Sequence, residues 1–250
     1  MDLNHLFEEA KQRVREKPAD IHARSALWQV MAARGEFDRA AKQLDTMVSL
    51  DSSWAMEAVS CQALLRAEMN RQEVLLGRIP PVCLGSSPAW FADMCLGLEL
   101  LQSPPRISQA LELLTRAQQA NDTRSGTLNG QPFTWLCDGD VRFGPCLELI
   151  VQGRYFFVPW SRITRLQSRP PTEIRDRLWL HCYVEFGDEG SIEAFLPACY
   201  SGSSSDMHRL GQITEWTEVG AGSFIGIGQK VLMTDIGDFG LLDIRELTFA

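Results

Sequence analysis

Hydrophobic residues recur at helical spacing through the first part of the chain. The first series is Leu3, Leu6, Phe7, Ala10 and Val14, and Pro18 follows it. This spacing predicts one helix that ends before Pro18, a second over about residues 21–33 and a third that ends near Leu50. Gly35 is expected to end the second helix, because glycine readily adopts the left-handed conformation found after helix C-termini.

The segment around the turn GEFDRA, residues 35–40, resembles a tetratricopeptide repeat. After its turn, that repeat has an alanine, a large apolar residue and a small residue at fixed spacings. Two segments follow this spacing, namely Ala40, Leu44 and Met47, and then Ala110, Leu114 and Ala117. Pro18, Ser52 and Ser86 are also 34 residues apart, which is the period of the repeat. The small residue would let paired helices approach closely.

The repeat pattern is degenerate. Trp28 stands where a small residue is usual, Met47 replaces an alanine, and Pro104 with Pro105 interrupts the third unit. We therefore predict a tetratricopeptide-like superhelix of about three helical hairpins over residues 1–126. Such an array offers a concave surface for a partner peptide or helix. The aromatic candidates for lining it are Trp28, Trp54, Trp90 and Phe91. In the alternative interpretation, these helices are a scaffold and the aromatic side chains fill its core.

The pattern changes to a two-residue alternation after a polar segment at residues 121–132. Phe133, Trp135 and Cys137 alternate with Thr134 and Leu136 and lead into Asp138-Gly139-Asp140. Further strands are predicted over residues 147–151, 154–158, 178–186, 191–196, 224–234 and 240–247. The turns between them include Gln152-Gly153 and residues 187–190. We therefore expect residues 127–250 to form a small antiparallel β-rich domain, a sandwich or a partly open barrel.

Composition narrows the class of protein. Hydrophobic residues make up 45% and charged residues 22% of the 250, so a packed core is expected. The net charge is −8, with −2 in residues 1–126 and −6 in residues 127–250, which argues against a nucleic-acid-binding surface. The seven cysteines show no CxxC spacing, so we expect buried thiols in a reducing compartment. No membrane span or signal peptide is recognisable, and a cytoplasmic location is expected.

Asp138, Asp140 and Glu148 are the strongest candidates for chemistry, as a carboxylate pair or a metal site. Turn formation explains an Asp-Gly-Asp sequence equally well, because Asp accepts hydrogen bonds from nearby backbone amides. A nucleophile and base made of Cys199 and His208 has no recognisable third member. Five arginines between residues 162 and 177 form a basic run that is expected to be a solvated loop or a site for an acidic partner. No cofactor is predicted.

Four motifs in a fixed order carry a family resemblance. They are WLCDGDVRFGPCLELIVQGRYFFVPWSRI, PTEIRDRLW, LPACYSGS and LLDIREL, and they follow the repeat-like start. In this order the chain resembles the ImpE family, also called TagJ, of bacterial type VI secretion accessory proteins. The matching positions of unknown role are Trp135, Asp138, Asp140, Arg142, Glu148, Tyr200, Asp206 and Arg245.

The resemblance implies a non-enzymatic cytoplasmic adaptor. It implies binding to a helix of the small contractile-sheath subunit, with a role in sheath handling or disassembly by a Clp-class ATPase, which would be a further partner. The alternative from the residues alone is a carboxylate- or metal-dependent enzyme that uses Asp138, Asp140 and Glu148. The apolar spacing of the helical half favours the adaptor.

Overall fold

Helices fill the first half of the chain in the computed structural model, which describes residues 2–120, 124–187, 190–203 and 205–250. Residues 121–123 of the predicted linker and residues 188–189 of the predicted turn lie outside the described residues. The helices are α1 Leu3–Glu16, α2 Ile21–Ala33, α3 Phe37–Leu50, α4 Ala55–Leu75, α5 Phe91–Leu100 and α6 Ile107–Gln119. The three predicted helices are confirmed.

The ends of these helices follow from local sequence. The side chain of Asp2 caps α1 and that of Asp20 caps α2, each by accepting hydrogen bonds from two backbone amides. Gly35 has a φ of 78° directly after α2, and its amide donates to the carbonyl of Ala32 at 2.9 Å. The predicted glycine-terminated helix end is therefore confirmed.

Small residues permit close helix packing at two places. Ala40 on α3 is 0% exposed between neighbouring helices. On α5, a Cβ atom added to Gly97 would lie 2.8 Å from Leu114 on α6. Since real Cβ atoms do not approach a neighbour this closely, α5 and α6 pack at a distance that only glycine allows at this position.

Replacing Ala40 by leucine is therefore expected to lower the free energy of unfolding by about 1–3 kcal/mol, because the longer side chain must displace packed neighbours. The matched control is Ala41→Leu, since Ala41 is the half-buried neighbour on the same helix. Urea unfolding monitored by circular dichroism measures both variants. Equal stability of the two variants would contradict close packing at Ala40.

Antiparallel strands follow the helices, as predicted. They are β1 Gly126–Leu128, β2 Gln131–Phe133, β3 Leu136–Asp138, β4 Cys146–Val151, β5 Arg154–Pro159, β6 Arg165–Ser168, β7 Trp179–Glu185, β8 Ser191–Pro197, β9 Cys199–Tyr200, β10 Thr214–Gly220, β11 Ser223–Gln229, β12 Val231–Thr234, β13 Gly237–Gly240 and β14 Glu246–Phe249. Two short helices, α7 Ile174–Leu178 and α8 Asp206–Arg209, connect them.

These strands form three sheets. The largest has eight strands in the order β2-β1-β14-β6-β7-β8-β4-β5. The others have three strands each, in the orders β10-β11-β9 and β13-β12-β3. The predicted arrangement of helices followed by antiparallel β-structure is confirmed.

The hairpin of β4 and β5 joins the helices to the β-structure. Ile150 and Phe157 on one face belong to the hydrophobic core of the helices, whereas Leu149 and Val158 on the other face belong to the core of the sheet. Both faces of β4 are therefore buried. Helices α1–α6, which we call the helical half, and strands β1–β14 with α7 and α8, which we call the β half, consequently share a continuous interface.

Several strand predictions were wrong in detail. The predicted strand over 224–234 is divided at Lys230 into β11 and β12, and a short helical turn at Leu241–Asp243 interrupts the one predicted over 240–247. Lys230 lies between β11 and β12, and its side chain belongs to a buried cluster of charges described below. The strand β10 was missed because five of its seven residues, 214–218, are polar or exposed and give no apolar alternation.

Residues 169–173, with Arg169 exposed, lie outside helices and strands, so the expected solvated loop forms only part of the arginine-rich run. Residues 165–168 form β6 and residues 174–178 form α7. Arg165 pairs with Glu246 at 2.5 Å, and Arg175 pairs with Glu57 at 2.7 Å. These arginines are therefore neutralised by carboxylates of the same chain.

Candidate functional site

Charged side chains from both halves meet in one buried cluster, which we call the buried charge network. Its members are Glu68 and Arg71 of α4 together with Asp138, Asp140, Arg142, Glu148, Tyr155, Tyr200 and Lys230 of the β half. The sequence-predicted residues Asp138, Asp140, Arg142, Glu148 and Tyr200 are thus brought together. Arg71 and Lys230 were missed.

Arg71 carries the network across the interface between the halves. Its Nε donates to Oε1 of Glu148 at 2.6 Å, and its Nη2 donates to Oε2 at 3.1 Å. The side chain of Arg71 is 3% exposed and that of Glu148 is 1% exposed. Arg71 also donates to Glu68 at 2.9 Å and to the carbonyl of Cys199 at 2.9 Å. This bidentate pair therefore fixes α4 on β4 with defined geometry.

Lys230 links two of the three buried carboxylates of the β half. Its Nζ lies 2.5 Å from Oε2 of Glu148 and 3.3 Å from Oδ2 of Asp138. The same atom is 3.6 Å from the ring centroid of Phe143, so an aromatic face also contacts the cation. Tyr200 donates its hydroxyl to Asp138 at 2.6 Å. Tyr155 donates in the same way to Glu148.

Asp140 and Arg142 form a second buried pair beside Lys230. Nη2 of Arg142 donates to Oδ2 of Asp140 at 2.5 Å, and the amide of Gly226 donates to the same oxygen at 2.8 Å. The turn interpretation is also correct, because Asp138 accepts from the amide of Asp140 and Asp140 accepts from the amide of Arg142, each at 2.9 Å. Turn formation and charge pairing therefore use the same carboxylates.

Burial and the neighbouring cations together determine the pKa values of these carboxylates. Burial by itself would raise the pKa of Glu148, but the adjacent Arg71 and Lys230 outweigh it and lower the pKa to about 2. For Asp138 the effect of burial prevails over the attraction of Lys230, and the pKa is raised. Burial likewise raises the pKa of Tyr200. Glu148 is therefore ionised throughout the neutral range and does not exchange protons there.

This arrangement joins the helical half to the β half through Arg71. Each of the three candidate carboxylates already has a lysine or arginine partner. A metal ion would have to compete with those cations for the same oxygens. Among the described residues, no three His, Cys, Asp or Glu side chains are grouped so that they could hold a metal ion.

The remaining motif positions have mostly structural contacts. Asp206 accepts a hydrogen bond from the amide of Leu3 at 2.7 Å, which connects the β half to the start of α1. Arg245 donates to the carbonyls of Leu242 and Ile244 at 2.7 and 2.8 Å. Trp135, by contrast, is exposed.

Cys199 and His208, the nucleophile and base considered from the sequence, have separate contacts. Burial raises the pKa of the Cys199 thiol to about 12, and its Sγ contacts the carbonyls of Arg177 and Arg209 at 3.7 Å. His208 instead pairs its Nδ1 with the hydroxyl of Ser205 at 2.8 Å. A thiolate nucleophile at this position is therefore disfavoured.

The four aromatic candidates for partner binding have different environments. Trp28 is 1% exposed and Phe91 is also buried, so both side chains fill the core of the helical half. Trp54 and Trp90 are half-buried against the same core. Of the four, only Trp54 and Trp90 present part of their ring to solvent.

A groove of about 940 Å³ lies where α4 faces the eight-stranded sheet, and we call it the junction groove. Met56, Ser60 and Leu64 line it from α4, and Trp179, His181 and Phe195 line it from β7 and β8. Nδ1 of His181 is buried and has no hydrogen-bond partner among the described residues. The sequence did not indicate this groove, because its two walls are more than 100 residues apart in the chain.

Comparison with known proteins identifies the family. Residues 130–248 match the family described as ImpE protein. The chain is 34% identical over 251 aligned residues to the type VI secretion system accessory component TagJ of Pseudomonas aeruginosa, and the match covers 99% of this chain and 87% of that protein. The chain belongs to the ImpE/TagJ family of type VI secretion system accessory proteins. The recognition of this family from the four motifs is confirmed.

A solved structure has the fold of this ImpE/TagJ chain. The crystal structure of protein VPA1032 from Vibrio parahaemolyticus superposes with a TM-score of 0.91 at 23% sequence identity, and the superposition covers 99% of this chain and 94% of that one. In the ImpE/TagJ chain, no helix of the described residues is long and apolar enough to cross a membrane. The residues matched to ImpE hold every member of the buried charge network except Glu68 and Arg71.

Proposed function

We propose that this ImpE/TagJ-family chain is a non-enzymatic, cytoplasmic accessory protein of a type VI secretion system, and that its junction groove binds a helix of the small contractile-sheath subunit. In this proposal, binding presents the sheath subunit for disassembly by a Clp-class ATPase. The family and the TagJ relative support the accessory role. The junction groove is the observation that supports helix binding.

The surface of the junction groove suits an amphipathic helix. Its floor is apolar, with Leu64 and Trp179 buried and Phe195 half-buried. Its rim is charged, with Glu57 paired to Arg175 at 2.7 Å. A bound helix would place apolar side chains on the floor and polar ones beside the rim, as in other helix-in-groove complexes.

Met56 strengthens this proposal. Its side chain is 84% exposed at the edge of the junction groove, in the first turn of α4. A flexible thioether can adapt to irregular apolar partners, and methionines are frequent at helix-binding surfaces.

The charge pairing described above favours an adaptor over the carboxylate- or metal-dependent enzyme. A general acid needs a pKa near the working pH, whereas the pKa of Glu148 is about 2. Asp140 is enclosed by Arg142 and the amide of Gly226. Glu148 joins α4 to the β half through Arg71, whereas Asp138 and Asp140 pair with Lys230 and Arg142 within the β half, so no further role for these carboxylates is proposed.

Filling the groove tests the proposed function. Ser60 is exposed in the groove, and its hydroxyl donates to the carbonyl of Met56 at 3.1 Å. Ser60→Trp is expected to weaken binding of the purified small sheath subunit by roughly tenfold or more, because an indole occupies space that the partner helix needs. Isothermal titration calorimetry measures the affinity, and circular dichroism verifies that the variant is folded.

Ser49 provides the matched control. It is exposed on α3, outside the groove, and donates in the same manner to the carbonyl of Asp45 at 2.9 Å. Ser49→Trp should change the affinity by less than about twofold. Unchanged affinity in Ser60→Trp would rule out the junction groove as the site. No binding of the wild-type chain at high micromolar concentrations would rule out the sheath subunit as its partner.

A further inference from the structure

A second exposed surface lies on the β half, and we call it the acidic aromatic face. It consists of the apolar residues Trp135, Trp216, Phe224 and Met233 and the carboxylates Glu218 and Asp238. All six side chains are exposed, and Trp216 is 40% exposed. None of α4, α7, β7 and β8, which form the junction groove, contributes to it. The proposed function therefore leaves this face without a role.

The apolar part of the face is contiguous. Trp216 and Met233 meet over Gly139, where an added Cβ atom would lie 2.6 Å from Cη2 of Trp216 and 3.1 Å from Sδ of Met233. Phe224 lies on the same side of the β10–β11 ladder as Trp216, because it is two residues from Gly226, the direct partner of Trp216. Trp135 lies near Met233, since Met233 pairs with Cys137 on β3.

Carboxylates stand directly beside this apolar strip. Glu218 pairs with Phe224 across β10 and β11, and Asp238 pairs with Met233 across β12 and β13. Within the part of the chain that the structure describes, neither carboxylate has a lysine or arginine within 4.0 Å. Lys230 is the one basic residue between positions 210 and 242, and its side chain is turned into the buried charge network. The negative charge of the face is therefore uncompensated.

We propose that the acidic aromatic face docks a basic, amphipathic segment of another protein. Apolar side chains of that segment would cover Trp216 and Met233, and its lysines or arginines would approach Glu218 and Asp238. Contiguous exposed apolar surface on a soluble chain is characteristic of an interaction site. The indole of Trp216 also attracts a cation that lies over its face.

The negative charge of the acidic aromatic face favours a basic segment over two other partners, namely a second copy of this chain and a nucleic acid. A second copy that met the face with its own β10–β13 region would place carboxylates against carboxylates, which is unfavourable. A nucleic acid would be repelled by the same charges. The proposal does not depend on the junction groove or on the sheath subunit, so the two proposals can fail separately.

A pair of synthetic peptides tests the proposal. One peptide consists of leucine and lysine in an amphipathic order, and in the other every lysine is replaced by glutamate. In calorimetric titrations of the full chain at about 150 mM salt, where longer-range electrostatic effects are screened, the lysine peptide is expected to bind and the glutamate peptide is not. Hydrogen–deuterium exchange should show slower exchange in β10–β13 when the lysine peptide is bound.

Matched variants distinguish peptide binding at the acidic aromatic face from non-specific attraction of the lysine peptide to an acidic protein. Glu218→Gln with Asp238→Asn is expected to weaken binding of the lysine peptide roughly fivefold or more. Glu99→Gln with Glu112→Gln removes the same charge from exposed positions on α5 and α6 and should change the affinity less than about twofold. Met233→Ser should weaken binding, whereas Val59→Ser, at an exposed position on α4, should not.

Three results would overturn the proposal. The first is equal weakening by the two double variants, which would mean non-specific charge attraction. The second is unchanged binding in Met233→Ser. The third is self-association of the wild-type chain that Glu218→Gln with Asp238→Asn abolishes, because a second copy would then occupy the face. Slower exchange in β10–β13 together with the predicted variant differences would support it.

Discussion

Replacing Lys230 by methionine is expected to lower the free energy of unfolding by about 3–5 kcal/mol, which is typical of removing one partner from a buried ion pair. The variant keeps a side chain of similar length but removes the cation that lies 3.3 Å from Asp138 and 2.5 Å from Glu148. Glu148 retains Arg71 as a partner. Asp138 retains only the hydroxyl of Tyr200 and the amide of Asp140, so its charge is the one left uncompensated.

The loss of stability in Lys230→Met should depend on pH. The pKa of Asp138 is already raised above 3.8 by burial, and removing Lys230 raises it further. A carboxyl group with a raised pKa in the folded state favours folding below its unfolded pKa, and that contribution disappears as the pH rises through the folded pKa. The destabilisation of Lys230→Met should therefore be largest near pH 8 and smaller near pH 5. Urea unfolding at several pH values measures it.

Two controls locate the effect in the buried charge network. Adding Asp138→Asn to Lys230→Met removes the uncompensated carboxylate, so the double variant should recover part of the stability and lose the pH dependence. Arg165→Met breaks a half-exposed pair with Glu246 and should cost about 1 kcal/mol or less. A Lys230→Met variant as stable as Arg165→Met would contradict a structural role for the network.

The helices could be predicted because their signals are local. Apolar residues at helical spacing, the capping residues Asp2 and Asp20, and Gly35 all lie within a few residues of the boundaries they determine. The bounds of α2 and α3 follow directly from them. The same holds for the β4–β5 hairpin, where the turn Gln152-Gly153 carries positive φ values at both residues.

The buried charge network could be predicted only in part. Asp138, Asp140 and Glu148 stand out because acids are unusual among apolar strand residues. Arg71, however, is 77 residues from Glu148, and Lys230 is 92 residues from Asp138. Nothing in their local sequence distinguishes them from surface residues, since their burial arises only when α4 packs on β4 and when β12 pairs with β3.

The junction groove and the acidic aromatic face were missed for related reasons. The groove combines α4 with β7 and β8, which come together only in the folded chain. The face depends on β10, whose alternation of Glu, Trp and Thr resembles a solvent-exposed loop. Surfaces that are open to solvent leave no apolar periodicity in the sequence, so only the three-dimensional arrangement reveals them.

Trp28→Ala is expected to lower the free energy of unfolding by about 3–5 kcal/mol, because Trp28 is almost completely buried on α2 and its removal leaves a large cavity. Trp54→Ala is the matched control. Trp54 is half-buried in the short helical turn before α4, and its loss should cost clearly less, about 1–2 kcal/mol. Urea unfolding of both variants gives the comparison.

The pair also separates core packing from partner binding. If Trp28 were a partner-binding residue, its replacement would leave stability unchanged and would weaken binding of the small sheath subunit in the folded chain. If it is a core residue, stability falls, and any loss of binding should disappear when the titration is done at a temperature where the variant is fully folded. In the structure Trp28 lies in the core of the helical half, at a position where the repeat pattern usually has a small residue, so the core interpretation is the one we expect the stability measurement to support.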